Sequence, residues 1–217
     1  MSAVFRSPLP DIELPALQSF FYHQLPVNPR FPDYQVFTDG LTGRSITTRQ
    51  LRQDALRLGK GLQNRFKLSG KEETVAVIYS PNSVDFAQIF YGCQSVRIIT
   101  SLANASYTAS ELAHQLRDGS PLIAFVHPSI YGSYSGALQE LKTEGCTLPK
   151  LYWAVPLSDV PDDLRQRTGD VDSYQSLMVG EEELHGFDGI AANGEDAHQT
   201  ALLCYSSGTV SSFWHPD

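Results

Sequence analysis

Residues 74 to 79 read TVAVIY, a short run rich in β-branched side chains with no polar face. A strand of that kind has to be covered on both sides, as in a parallel sheet lying between two layers of helices. The chain around it has the matching rhythm. After the turn at Ser69-Gly70, the pattern predicts a strand over Thr74 to Tyr79, a helix from Ser83 to Gln94 and a strand from Arg97 to Leu102. A helix from Ala109 to Arg117, a strand from Leu122 to Val126, a helix near Tyr131 to Leu141 and a strand from Leu151 to Val155 follow. Strands and helices in alternation specify an α/β fold with a mostly parallel sheet and helices on both faces. Thr200 to Tyr205, TALLCY, reads as a further buried strand.

The helix ahead of this series is the most clearly marked. From Thr48 to Phe66 the apolar residues Leu51, Ala55, Leu58, Leu62 and Phe66 recur every three or four positions and share one face. Thr108 and Glu111 have capping-box spacing, so the two can satisfy exposed amides at the start of the helix that follows. Nearer the N-terminus, Leu14 to Leu25 reads as a helix, and Val36-Phe37 before the turn residues Asp39-Gly40 reads as a strand.

Charge is concentrated in one place. The formal net charge is −8, yet the stretch from Asp159 to Asp196 alone holds eleven acids against two arginines, net −9, leaving the rest at +1. This predicts a solvated surface excursion and excludes a nucleic-acid binder. No run approaches the roughly 20 apolar residues of a membrane span, and Arg6, Pro8 and Pro10 leave the N-terminus without a secretory core. A cytoplasmic protein is therefore expected. Cys93, Cys146 and Cys204 are odd in number and far apart, and the six histidines show no ligand spacing, so neither disulfides nor a metal site is expected.

Chemistry enters where the strand Thr200 to Tyr205 runs into Ser206-Ser207-Gly208-Thr209. Small hydroxyl residues and a glycine in a turn after a strand bring backbone amides and hydroxyls close to phosphate oxygens. Other motifs give less. Gly132-Ser133-Tyr134-Ser135-Gly136 has tyrosine where a nucleophile elbow needs serine, which leaves a helix start. Gly59-Lys60-Gly61 lies inside the strong helix without Walker spacing, so Lys60 reads as a solvated side chain, and Glu181-Glu182-Glu183 reads as a solvated run.

Tyr205-Ser206-Ser207-Gly208-Thr209 resembles the start of the signature loop of the AMP-forming, adenylate-forming ligases, which include acyl-CoA synthetases and coumarate CoA ligases. Pro81-Asn82-Ser83 resembles that family's P-N-S element. Ser101-Leu102-Ala103-Asn104-Ala105-Ser106-Tyr107-Thr108, with Glu111-Leu112 and Gln115-Leu116, resembles its N-P-x-Y-[ST]-x-x-E-L-x-x-Q-L stretch. Ala105 stands where the family has proline, and Arg97 falls in a region that is glycine-rich in the family.

The resemblance implies that residues 1–217 are part of the large N-terminal AMP-binding domain of such a ligase. It implies Ser206, Ser207, Gly208 and Thr209 as an incomplete ATP phosphate loop, and ATP with magnesium, CoA and a small carboxylic acid as cofactors and partners of the full-length family, with none expected to be bound productively by this chain. No catalytic or metal-ligating residue of this chain is implied. The family's C-terminal domain, with its adenylation lysine, corresponds to nothing in these residues, and some relatives carry a peroxisomal signal.

The similarity breaks off at Val210, where Val210-Ser211-Ser212-Phe213-Trp214 replaces the family's second threonine, proline and lysine. The expectation is an inactive ligase fragment. The alternative is a non-catalytic interaction module or regulatory short isoform, which would meet a chaperone or a homologue through an apolar surface left uncovered. A retained intron is one expectation for the break, because an intron opening GTAAGT or GTGAGT translates as Val-Ser. A frameshift, an assembly error and a true short isoform remain open beside it. Genomic sequencing checks it: codons 210 and 211 are expected to spell such a donor site, with an exon encoding T-G-x-P-K downstream, and other codons refute the intron.

Overall fold

A computed structural model of the chain describes residues 33–40, 42–190 and 199–205. The expected helix at Leu14 to Leu25 lies outside them. A small antiparallel hairpin, β1 (Gln35–Thr38) and β2 (Ser45–Thr47), leads into α1 (Thr48–Phe66). Then come β3 (Val75–Tyr79), α2 (Val84–Ser95), β4 (Ile99–Ala103), α3 (Ala109–Gly119), β5 (Ile123–Val126), α4 (Tyr131–Thr143) and β6 (Lys150–Trp153). A short α5 (Asp162–Thr168) and two 3-10 turns, Tyr174–Leu177 and Glu181–Leu184, precede β7 (Leu202–Leu203). The main sheet has five strands in the order β6-β5-β3-β4-β7, and every neighbouring pair is parallel.

The apolar run that predicts this sheet is β3, at its centre. Ala76 and Ile78 point into a cluster with Leu58 and Leu62 of α1, Ile89 and Cys93 of α2, and Phe125 and Tyr152. Val77 and Tyr79 point the other way, onto Leu112 and Leu116 of α3 and Tyr134 and Leu141 of α4. β5 alternates likewise, with Ile123 and Phe125 on one side and Ala124 and Val126 on the other. Two helical layers thus cover the two faces.

Local signals set the helix ends. Thr108 caps α3 and forms the expected reciprocal capping box with Glu111, and Ser83 caps α2 by accepting from the Phe86 amide. A second capping box, Thr47 with Gln50, starts α1. β4 begins two residues later than the sequence suggests because Arg97 sits in the left-handed region at φ 63°, making a turn where an L side chain is strained. Glycine takes that conformation freely, which gives a reason for a glycine-rich pattern at this place. Only Leu202 and Leu203 of Thr200 to Tyr205 join the ladder.

The acidic stretch is more than a solvated excursion. Its acids among the described residues are exposed, Glu181, Glu182 and Glu183 included. However, Val160, Leu164, Tyr174 and Leu177 are buried. The Tyr174 hydroxyl, fully buried, lies 2.7 Å from Asp85 Oδ1 and 2.7 Å from Gln88 Oε1, while Gln88 Nε2 donates to Asp54 at 2.6 Å. Arg44 from the hairpin pairs with Asp85. Arg57 Nε donates to the Val179 carbonyl at 2.7 Å, Gln53 Nε2 to Glu181 at 2.6 Å, and Arg52 pairs with Asp188. Lys60 holds its ammonium 5.0 Å above the Phe187 ring.

Large apolar side chains exposed among the described residues are Tyr34, Phe37, Leu122 and Leu157, spread over β1, the start of β5 and the turn after β6. Among the described residues no helix is long and apolar enough to cross a membrane.

Glycines in α1 let neighbouring backbone approach. A Cβ at Gly59 would stand 3.0 Å from the Gly92 carbonyl, and one at Gly61 would stand 1.5 Å from the Leu177 carbonyl. Replacing Gly61 with alanine gains about 1 kcal/mol of helix propensity. It also forces the 174–177 turn off α1, at a cost of roughly 2–4 kcal/mol from lost packing and strain. Gly61→Ala is therefore expected to lower the urea midpoint, and an unchanged or raised midpoint would show that the turn does not dock on α1.

Candidate functional site

In a parallel sheet the loops that leave the carboxyl ends of the strands form the usual ligand edge. Each of the three motif segments is on that edge. Pro81-Asn82-Ser83 follows β3, Asn104 to Thr108 follow β4, and Tyr205 follows β7. Since β4 lies between β3 and β7, segments separated by more than a hundred positions along the chain emerge close together. Their spacing in sequence does not show this; the strand order does.

Hydrogen bonds tie these segments down. The Tyr79 hydroxyl donates to the Tyr107 carbonyl at 3.0 Å, joining the end of β3 to the loop after β4. The Asn104 side chain accepts from the Ser106 amide at 2.9 Å, which fixes the turn between β4 and α3. Gln115, buried on α3, donates to Ser101 Oγ at 2.8 Å.

The residues read as phosphate-binding, Ser206, Ser207, Gly208 and Thr209, lie outside the described residues. Their stem is well held. Thr100 donates its amide to the Ala201 carbonyl at 3.0 Å, and the β4–β7 ladder pairs Thr100 with Leu202 and Ser101 with Leu203. Gln94, buried at the end of α2, donates to Thr100 Oγ1 at 2.9 Å and to the Ala201 carbonyl at 3.1 Å. Arg97 donates to Gln199. At the far end, the Tyr205 hydroxyl donates to Asp118 Oδ2 at 2.6 Å; burial and that carboxylate push the phenol up to about 12. Gln94 and Asp118 escaped the sequence reading, which met Arg97 only as a strand start and a departure from a glycine-rich region. The one available signal was a glutamine on a helix face that is otherwise apolar.

The crevice where the topology turns lies between β3 and β5, whose chains continue in opposite directions along the sheet. His127 enters here directly after β5, its amide bonded to the Tyr79 carbonyl at 2.9 Å. The Ser129 amide donates to His127 Nδ1 at 3.1 Å, so the neutral ring carries its proton on Nε2. Burial holds this imidazole below the ordinary histidine range. Cys93 is buried, Cys146 half-buried and Cys204 exposed; burial raises the Cys93 thiol. Among the described residues no group of three or more histidines, cysteines or carboxylates could hold a metal ion.

A folded-state histidine below its unfolded value of about 6.5 contributes stability that is complete above that value and is lost as pH falls through it. Unfolding midpoints taken from about pH 7.5 down to about pH 5.5 should therefore fall. His127→Asn keeps an acceptor for the Ser129 amide without titrating, and should flatten the part of that fall due to the imidazole. An identical pH profile in this variant would remove His127 as the cause.

Comparison with known proteins points in one direction. The model of the AMP-binding enzyme family matches residues 27–211. A 4-coumarate–CoA ligase of Arabidopsis thaliana is 27% identical over 210 residues, covering 95% of this chain and 33% of its own length. One of Narcissus pseudonarcissus is 30% identical over 115 residues, covering 52% and 20%. The chain thus spans about a third or less of these relatives. Among solved structures, a long-chain-fatty-acid-CoA ligase from Archaeoglobus fulgidus superposes with a TM-score of 0.64 at 19% identity, over 95% of this chain and 38% of that one.

Proposed function

The chain belongs to the AMP-binding enzyme family, and we propose that it provides the phosphate-loop half of the N-terminal domain of an AMP-forming carboxylate–CoA ligase. In this reading residues 1–217 are part of that domain, and the family model, which matches residues 27–211, leaves 212–217 beyond its pattern. The observation that carries it is the convergence of the three family-like segments on the carboxyl ends of the adjacent strands β3, β4 and β7.

The chemistry follows from the family. A carboxylate oxygen attacks the α-phosphorus of ATP, the bond to the bridging oxygen breaks, and pyrophosphate leaves with those electrons. The CoA thiol then attacks the acyl carbon and AMP departs, leaving a thioester. Ser206, Ser207, Gly208 and Thr209 would grip the phosphates through amides and hydroxyls, since preorganised donors stabilise charge without reorganising. Magnesium would arrive with ATP and offset phosphate charge. β3, β4 and β7 hold the edge in place, and the hydrogen bonds at the β7 stem restrict where the loop begins.

The 217 residues by themselves carry no turnover. Val210-Ser211-Ser212-Phe213-Trp214 replaces the loop's second threonine, proline and lysine, and removing one charge-stabilising donor from such a site typically costs about a hundredfold to a thousandfold. Pyrophosphate release is the assay, with ATP, magnesium, CoA and a panel of aromatic and long-chain acids chosen after the relatives' names. No release above background is expected. Release that depends on one acid would overturn the proposed inactivity while confirming the reaction class.

A further inference from the structure

Among the described residues β7 is a two-residue edge strand paired only with β4. A ladder that short does not set its own position, because edge strands with so few backbone bonds fray and slip. Two side-chain ties act where the ladder is too weak. At the entry, Gln94 is 4% exposed, and its single amide nitrogen reaches Thr100 Oγ1 at 2.9 Å, the Ala201 carbonyl at 3.1 Å and the Ile98 carbonyl at 3.4 Å. It therefore joins the last turn of α2, the start of β4 and the start of β7. At the exit, the Tyr205 phenol crosses to Asp118 on α3 at 2.6 Å. One tie comes from the helix covering one face of the sheet, the other from the helix covering the opposite face.

We infer that Gln94 and Asp118 are positioning residues for the phosphate loop: they fix where β7 joins the sheet and where the chain leaves it toward Ser206. This rests on the reading of 206–209 as that loop. Neither residue is a catalytic residue, since each acts through β7 or Tyr205. The buried tie governs more, because breaking it takes the Gln94 donor from the fully buried Thr100 hydroxyl, while the half-buried Ala201 carbonyl keeps the Thr100 amide at 3.0 Å. The Asp118 tie is exposed and contributes less, but it is the one next to the loop.

Amide hydrogen exchange on the full 217-residue chain, without nucleotide, tests the assignment. Gln94→Leu is expected to speed exchange of the amides at 202–203 and 206–209 about tenfold, while the β3 amides at 75–79 keep their rates. Asp118→Leu should speed 206–209 by a smaller factor, and Asp118→Asn, which still offers the phenol an acceptor, should restore the parent rate. Unchanged rates at 202–209 overturn the inference. So does a rise at β3 in step with β7, which would mean general loosening, and so does equal behaviour of the two Asp118 variants. A second arm adds millimolar Mg-ATP to the parent chain and follows 206–209. Protection there supports the phosphate reading; its absence, with the exchange pattern intact, removes that reading and leaves the two stem ties standing.

Discussion

Everything in this fold depends on the two-sided burial of β3. Ala76, Val77, Ile78 and Tyr79 are each at most 1% exposed, and they alternate between the α1/α2 cluster and the α3/α4 cluster. Burying a side chain of this size contributes about 1.5–3 kcal/mol, and neither helical layer has a core without its share of this strand. The neighbours inherit the arrangement. β4 and β5 pair with β3 on its two sides in parallel register, so their carboxyl ends lie level with Tyr79 at Ala103 and Val126. The candidate site is an edge of loops that this register lines up.

That dependence explains which parts of the structure the sequence revealed. Strands with no polar face and helices with a clear apolar stripe advertise themselves by period, and α1 spans Thr48–Phe66 as its pattern indicates. β2 is three residues of a hairpin with one buried side chain, Ile46, and carries too little periodicity to be seen. The start of β4 moved because Arg97 turns the chain through a left-handed conformation, something a propensity reading does not expect of arginine. The buried polar residues were hidden for another reason. Asp85 and Gln88 sit on α2 among apolar neighbours, and only the arrival of Tyr174, Asp54 and Arg44 from three other elements makes them satisfied partners.

The site was legible in part and for a different cause. Segments around Pro81, Asn104 and Tyr205 stood out by resemblance, and nothing in their spacing says that they meet. Meeting requires that β7 pair with β4, a contact between positions a hundred apart that no local rule predicts. The Gln94 and Asp118 ties follow from the same pairing, so they too were invisible until the strand order was known.

The acidic stretch connects these observations. β6 and β7 occupy opposite edges of the sheet, so the chain between them must pass its full width. It does so over the α1/α2 layer: Tyr174 and Leu177 enter that core, Phe187 and Ile190 pack against it, and the Ile190 amide bonds to the Ser95 carbonyl at 2.8 Å. Gly61 and Gly189 keep side chains out of these approaches. A crossing segment riding on the outside of a helical layer needs apolar anchors on one side and strongly solvated groups on the other. Its anchors, Val160 and Leu164 against Trp153 and then Tyr174 and Leu177 in the α1/α2 core, are too irregularly spaced to read as an amphipathic element, while its eleven acids are conspicuous. The charge that looked like a purely solvated excursion is, over the described residues to 190, the outer face of the connection that leads toward β7.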